Sequence, residues 1–263
     1  MSYTTLSLAR EGHLARVTLN RPDVRNAFND ILIAELTSAF NALSEAEDIR
    51  VVVLAANGTA FCAGADLNWM KQMASYSREE NFDDARQLAR MLHAIWSCQK
   101  PVIAAVQGDT YAGGMGLVAA CDIAVAANHA NFCLSEARIG LIPATIGPYV
   151  VRAMGEQAAR RYFVTAERFD ALHALRLGFV HEVVAPDALE AKVAEIATML
   201  ATNSPAAVRE SKRLVQNISG RPVSLNLINE TADMIATVRS SPEGREGVRA
   251  FLEKRKPSWL ALA

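Results

Sequence analysis

The amino-acid sequence predicts an α/β body followed by a purely helical C-terminal part. Three features carry this expectation. Ile49–Ala55 and Val102–Val106 are short runs apolar on both faces, as strands of a parallel sheet buried between helices are. Segments with apolar residues at helical spacing alternate with such runs through the first two thirds of the chain. Beyond Pro186 only helical patterns and helix-start signals remain.

Taken in order, Leu6–Asn20 alternates and turns through Glu11-Gly12, a hairpin whose second arm is HLARVTLN. Asn20-Arg21-Pro22-Asp23 is a turn. From Ala27 to Leu43, Phe28, Ile31, Leu32, Leu36, Phe40 and Leu43 recur at helical spacing. Asn57-Gly58-Thr59 closes the next strand, Phe61–Asp66 reads as a small-residue loop, and Asp66–Met73 begins a helix. Ser77-Arg78-Glu79-Glu80 fits a capping box, opening a helix that runs to about Trp96 before Lys100-Pro101 stops it. Val102–Val106 then leads into a glycine turn, a small-residue helix at Gly114–Ala120, a second apolar strand, and Glu136. Gly155–Phe163 and Ala171–Leu177 look helical, and Phe179–Val184 looks like a strand. Asp187 is placed to cap a helix to about Thr202, and Ser204-Pro205 and Ser241-Pro242 are N-cap-plus-proline starts. No repeat of fixed period is visible.

At 263 residues the chain can bury a full core, as one large domain or one with an appendage. A formal net charge of −1 makes no case for nucleic acid or an anionic membrane as partner. No apolar run reaches the roughly 18 residues needed to span a bilayer. The start, MSYTTLSLAREGHLARVTLNRP, has no basic region followed by an apolar core, so a cytoplasmic location is expected. Cys62, Cys98, Cys121 and Cys133 form no CxxC pair and read as buried free thiols.

No metal-ligand spacing, GxSxG elbow or GxxxxGK[ST] loop is present. Gly114–Ala119 matches the dinucleotide fingerprint GxGxxA, but it lies mid-chain, and Gln107–Gly113 separate it from the preceding strand. Two other features carry chemistry. The first N–H groups of the helix after Gly113 lack intrahelical acceptors, and glycine there admits a ligand oxygen. Gly64-Ala65-Asp66, also between a strand and a helix, offers a second N–H. Two convergent N–H groups stabilise charge developing on a carbonyl oxygen; two tight strand-to-helix turns would look the same. Glu136, in the mostly apolar segment FCLSEARIG, is suited to proton transfer, or else to an ion pair with Arg138. The pattern leaves both open.

The segments VTLNRPDVRNAFN, FCAGADL, AVQGDTYAGGMGLVAACDIAVA, FCLSEARIGLIP and FLEKRKPSW together resemble the enoyl-CoA hydratase/isomerase (crotonase) family over nearly the whole chain. The resemblance implies a spiral of ββα units over residues 1–195 carrying an acyl-CoA site, with a C-terminal helical region at 196–263 used in trimerisation. Homotrimers or homohexamers are implied. The backbone N–H groups of Ala65 and Gly113 are expected to hold the oxygen of an acyl-CoA thioester. Val24, Arg25 and Ala27, with Ala63, Ala65, Asp66, Leu67 and Asn68, are expected along the CoA groove. Phe251 and Lys254 match tail positions that reach CoA bound by a neighbouring subunit. CoA belongs to the substrate; no further cofactor and no metal is expected.

One position departs from the pattern. Two-acid hydratases of the family carry a glutamate where Gly116 stands, and Glu136 matches their second glutamate. Glycine inside a helix costs about 1 kcal/mol relative to alanine, so Gly116 hints at needed space for a branched acyl group, or at plain packing. Gly114, Gly116, Trp69 and Ile142 are the expected substrate-pocket residues, with Trp69–Ala74 and Met91–Trp96 as further candidates that would serve equally well as core. A single acid permits hydration of a 2-enoyl-CoA or isomerisation of its double bond, and a non-catalytic acyl-CoA-binding member is a third reading. GADLNWM, GGMGLVAACD and FCLSEARIGLIPATIGPYVVRAMG resemble bacterial hydratases of branched glutaconyl-CoA thioesters. These are the 3-methylglutaconyl-CoA enzymes of leucine breakdown and the isohexenylglutaconyl-CoA enzymes of acyclic terpene, or isoprenoid, breakdown.

Overall fold

The computed structural model describes residues 3–260. β1 (Leu6–Glu11) and β2 (Leu14–Leu19) pair antiparallel. A 3-10 turn at Pro22–Val24 leads to α1 (Asp30–Glu45), whose N-cap Asn29 accepts from the Leu32 N–H. One pattern then occurs three times: a strand in a large sheet, a three-residue strand in a small sheet, then helix. The first turn is β3 (Val51–Ala56), β4 (Ala60–Cys62), α2 (Leu67–Met73) and α3 (Arg78–Trp96). The second is β5 (Val102–Val106), β6 (Asp109–Tyr111) and α4 (Gly113–Ala120). The third is β7 (Ile123–Ala127), β8 (Asn131–Cys133), a 3-10 turn at Glu136–Ile139, α5 (Gly147–Met154) and α6 (Glu156–Thr165). The chain closes with β9 (Phe169–Asp170), α7 (Ala171–Arg176), β10 (Glu182–Val184), α8 (Leu189–Thr202), α9 (Pro205–Ile218), α10 (Leu225–Ser240), α11 (Pro242–Leu252) and a last 3-10 turn at Ser258–Leu260.

The large sheet has the order β1-β2-β3-β5-β7-β10, parallel from β2 onward; the small one is β4-β6-β8-β9, with only β9 antiparallel. The architecture is the α/β spiral of ββα turns that the resemblance implies. One face of the large sheet, with Val52, Leu54, Ala104 and Val106, packs in the core formed with Leu36, Phe40, Leu92, Ile95 and Met115 of α1, α3 and α4. Its other face, with Val51, Val53, Ile103 and Val125, packs against Leu189, Val193 and Ala197 of α8. Burial on both sides explains why these strands show no alternation.

Several expectations shift. Ala60–Cys62, inside and just before the expected loop, is a strand, and β6 lies within the Gln107–Gly113 gap. The gap therefore does not argue against a dinucleotide motif, because α4 does start directly after a strand. The strand at Phe179–Val184 shortens to Glu182–Val184. Asp187 sits in a 3-10 turn, and α8 starts at Leu189 without a side-chain cap. The capping box at Ser77 and Glu80 and the caps at Ser204 and Ser241 are present, and Ser224 adds one unforeseen at α10. Residues 195 and 196 lie inside α8, and Ala197 still packs on the sheet. Beyond it, Lys212 of α9 ties the tail to the body, its Nζ 2.7 Å from Asp122. All four cysteines are free, three buried and Cys121 half-buried. Among the described residues no helix is long and apolar enough to cross a membrane.

Candidate active site

β6 ends at Tyr111 and α4 begins at Gly113, so a single residue, Ala112, must reverse the chain. It does so at φ 48°, ψ −123°, a conformation rare for a residue with a Cβ, held by its N–H bonding to the Cys133 carbonyl at 2.8 Å. Such strain costs on the order of 1–3 kcal/mol and collects at functional sites. The turn presents the Gly113 N–H at the helix N-terminus, where no intrahelical acceptor reaches.

The second N–H is set by a bridge between two loops. The Phe28 N–H donates to the Gly64 carbonyl at 2.8 Å and the Asp66 N–H donates to the Phe28 carbonyl at 3.0 Å. A parallel bridge of this kind uses the residues flanking Ala65, so the Ala65 N–H points away from Phe28. Gly64, at φ 93°, brings the loops together: a Cβ there would lie 3.0 Å from the Ala112 Cβ and 3.8 Å from the Gly113 nitrogen. Asp66 caps α2 through the Asn68 N–H at 2.8 Å and pairs with Arg21 at 2.8 Å. Burial alone would raise its carboxyl, yet the hydrogen bond from Arg21 and those from the helix N–H groups hold it below the usual range.

Glu136 opens the short helical turn after β8. Its Oε2 is buried and has no hydrogen-bond partner among the described residues. Burial pushes its carboxyl above the usual value. The ion pair with Arg138 does not form; that guanidinium donates to the Ala166 carbonyl instead.

Ala65, Gly113 and Glu136 line one cavity of about 400 Å³. Its walls are mostly apolar, with Phe28, Met70, Met73, Leu88, Leu141 and Ile146 prominent. Two residues at strand-to-helix turns and one unpaired acid thus share a mostly apolar hollow. A further hollow of about 550 Å³ among α9–α11 has Arg209, Arg213, Glu210 and Asp233 on its walls but none of these three residues.

Of the residues expected to meet the acyl group or CoA, Trp69, Ile142, Ala63 and Leu67 also line the cavity. Val24 and Arg25 lie on the surface beside it, joined by the Ala63 N–H bonding to the Arg25 carbonyl at 3.0 Å. Ala27 and Asp66 are buried, and Asn68 is exposed outside the cavity. Phe251 and Lys254 are exposed on the tail, away from it. Gly114 and Gly116 are corrections, since neither lines the cavity. A Cβ at Gly114 would meet the Cys62 carbonyl oxygen at 2.5 Å, so that glycine serves helix–strand contact. At Gly116 a Cβ would meet Ile146 Cγ2 at 2.2 Å. Ile146 fills the space that Gly116 leaves, and Ile146, not Gly116, faces the cavity. Restoring the family acid therefore needs two changes. Gly116→Glu alone is expected to cost about 1–3 kcal/mol by overpacking, read as a lower Tm, and adding Ile146→Ala is expected to recover part of the loss.

Periodicity did not single out Asn81 and Asp84, which line the cavity with Ala85 and Leu88. A signal was available. Positions 81, 84, 85, 88, 92 and 95 form one helical stripe, and a polar residue on a stripe that ends in buried Leu92 and Ile95 is a candidate for a cavity wall.

A model of the enoyl-CoA hydratase/isomerase family matches residues 9–261. The chain belongs to this family. An enoyl-CoA hydratase of Shewanella pealeana shares its structure at a TM-score of 0.95 with 42% identity, over 97% of this chain and 96% of that one. A crotonyl-CoA hydratase of Syntrophomonas wolfei is 30% identical over 99% of this chain and all of that protein, and a 2,3-dehydroadipyl-CoA hydratase of Escherichia coli is 31% identical over 97% and 98%. Near-complete coverage on both sides means the likeness is to whole enoyl-CoA hydratases, and this crotonase is an enzyme of that type.

Proposed function

We propose that this protein adds water across the 2,3 double bond of an enoyl-CoA thioester, with Glu136 as the single acid/base. The thioester oxygen accepts from the Ala65 and Gly113 N–H groups. Glu136 takes a proton from water as the oxygen bonds to Cβ, and the electron pair of the double bond moves onto the thioester as an enolate. The proton returns to Cα, neutralising the enolate, and no other reactant is needed. The buried, unpartnered Oε2 of Glu136 in the same cavity as both donors carries this reading. Burial raises its carboxyl above the usual value, which makes it a stronger base toward water than an exposed glutamate.

For the acyl group, the sequence resemblance favours a branched glutaconyl-CoA of the 3-methyl or isohexenyl type, placing the enzyme in leucine or acyclic terpene breakdown. The apolar walls from Met70 to Ile146 support room for a branch. The tail helices, with Leu225 at 80%, Phe251 at 83% and Leu252 at 73% exposure, are proposed as the trimer-forming region; mass measurement in solution checks this. Kinetics with 3-methylglutaconyl-CoA, isohexenylglutaconyl-CoA, crotonyl-CoA and a 3-enoyl-CoA, followed by 2-enoyl-thioester absorbance, which hydration removes and isomerisation of the 3-enoyl thioester creates, test the whole proposal. A branched glutaconyl thioester is expected to give the highest kcat/KM. Preference for crotonyl-CoA would overturn the acyl assignment. Conversion of the 3-enoyl thioester without net hydration would favour an isomerase, and no turnover of any would leave a binding protein.

A further inference from the structure

Glu136 is not the only carboxyl on the cavity wall. Asp84 of α3 lines the same hollow, and its Oδ1 accepts from the Trp69 indole N–H at 3.1 Å. That bond orients the group and leaves Oδ2 available to a ligand. Trp69 in turn packs edge-on against Phe28, ring centroids 6.0 Å apart, and Phe28 covers Gly113. Contacts through two rings thus link Asp84 to the Gly113 turn, a separation that suits the distal end of an acyl group held there.

The ionisable groups on this part of the cavity wall are carboxyls, and the nearby cation Arg86 is engaged elsewhere. Asp30 at the start of α1 acts on Asp84 as a like charge, and Glu136 shares the cavity. On α3 itself Asp83 pairs with Arg86 at 2.8 Å, and Glu80 is occupied by the Ser77 cap. Among the described residues no Lys, Arg or His lines the cavity. Asn81 adds no donor, because its amide N–H groups bond the Tyr76 and Ser77 carbonyls at 3.1 and 3.0 Å. With Asp84 ionised, its side chain and Asn81 present only acceptors here, so an acyl group ending in a carboxylate enters only with a proton.

We propose that Asp84 determines acyl specificity at the distal end, accommodating a substrate carboxylate by sharing with it one proton taken up from solvent. The proton lies between Oδ2 and the ligand oxygen and returns to water when the ligand leaves; no covalent bond of the acyl group changes. Burial and Asp30 push the Asp84 carboxyl above its usual value, against the pull of the Trp69 hydrogen bond, which favours the protonated form this needs. The inference rests on the acyl-CoA reading above, but not on which branched chain is used.

Calorimetry of the full chain with valeryl-CoA and glutaryl-CoA, matched in length, in buffers of different ionisation enthalpy separates the two. The wild type is expected to take up about one more proton per glutaryl-CoA bound than per valeryl-CoA, with glutaryl-CoA affinity falling about tenfold per pH unit above the Asp84 range. In Asp84→Asn, which still accepts from the indole, and in Asp84→Ser, that extra uptake and that pH dependence are expected to vanish. Equal uptake for both ligands, uptake that survives in both variants, or failure of glutaryl-CoA to bind at any pH would overturn the proposal. Failure of valeryl-CoA to bind the wild type would instead overturn the acyl-CoA reading, and this proposal with it.

Discussion

Glu136→Gln is expected to lower kcat for enoyl-CoA hydration by about 10³-fold while leaving thioester binding largely in place, as loss of a positioned acid/base does. Glutamine keeps the shape and the burial but cannot carry a proton between water and Cα. Retained activity in this variant, measured by loss of enoyl absorbance, would remove Glu136 from the mechanism. The same variant has a stability signature of opposite sign. Burial raises the Glu136 carboxyl in the folded protein, and Oε2 has no partner to offset ionisation. The native state therefore keeps its full share of stability below the unfolded carboxylate value and loses it as pH rises through the raised native value. Glutamine pays no such penalty. Glu136→Gln should melt at a higher temperature than the wild type at pH 8, the gap closing toward about pH 4. A stabilised but inactive variant is what a site arranged for function at the expense of stability produces.

Gly113→Ala is expected to reduce kcat by about 10²-fold, near the effect of losing one oxyanion donor. The added Cβ would sit 2.1 Å from Phe28 Cζ, with both Cε atoms within 3.2 Å. Phe28 is 2% exposed and wedged against Trp69, so the ring has little freedom to yield. The clash reaches both donors, because the Phe28 backbone also fixes the Gly64–Asp66 bridge that orients Ala65. Combining Gly113→Ala with Phe28→Leu should return part of the activity if crowding is the cause. A single variant with wild-type kcat would show that the added Cβ does not displace the Gly113 N–H, and so would overturn the crowding argument.

Much of the fold was legible because long buried elements leave strong patterns. The strands β3 and β5 announced themselves as apolar runs, and the Ser77–Glu80 capping box marked the start of α3 to the residue. The small sheet did not. Three-residue strands such as Ala60–Cys62 and Asp109–Tyr111 are shorter than any hydrophobic period, and only pairing with one another makes them strands. The threefold ββα repeat was hidden for the same reason, since half of each unit left no sequence signature.

Within the candidate site, the chain alone determined the glycine turn into α4, the small-residue loop at Gly64–Asp66, and an acid at Glu136 in apolar company. These are local features, written in residue type and spacing, and their order along the chain identified the family. Tertiary structure decided what each one faces. It brought residues 65, 113 and 136 to one cavity, turned Arg138 away from Glu136, and set Asp84 on the wall of the same cavity, bonded to Trp69. It also reversed the meaning of Gly116, whose missing side chain makes room for Ile146 and not for substrate. Which neighbour fills a space is fixed by contacts between segments thirty residues apart, and no pattern within either segment records it.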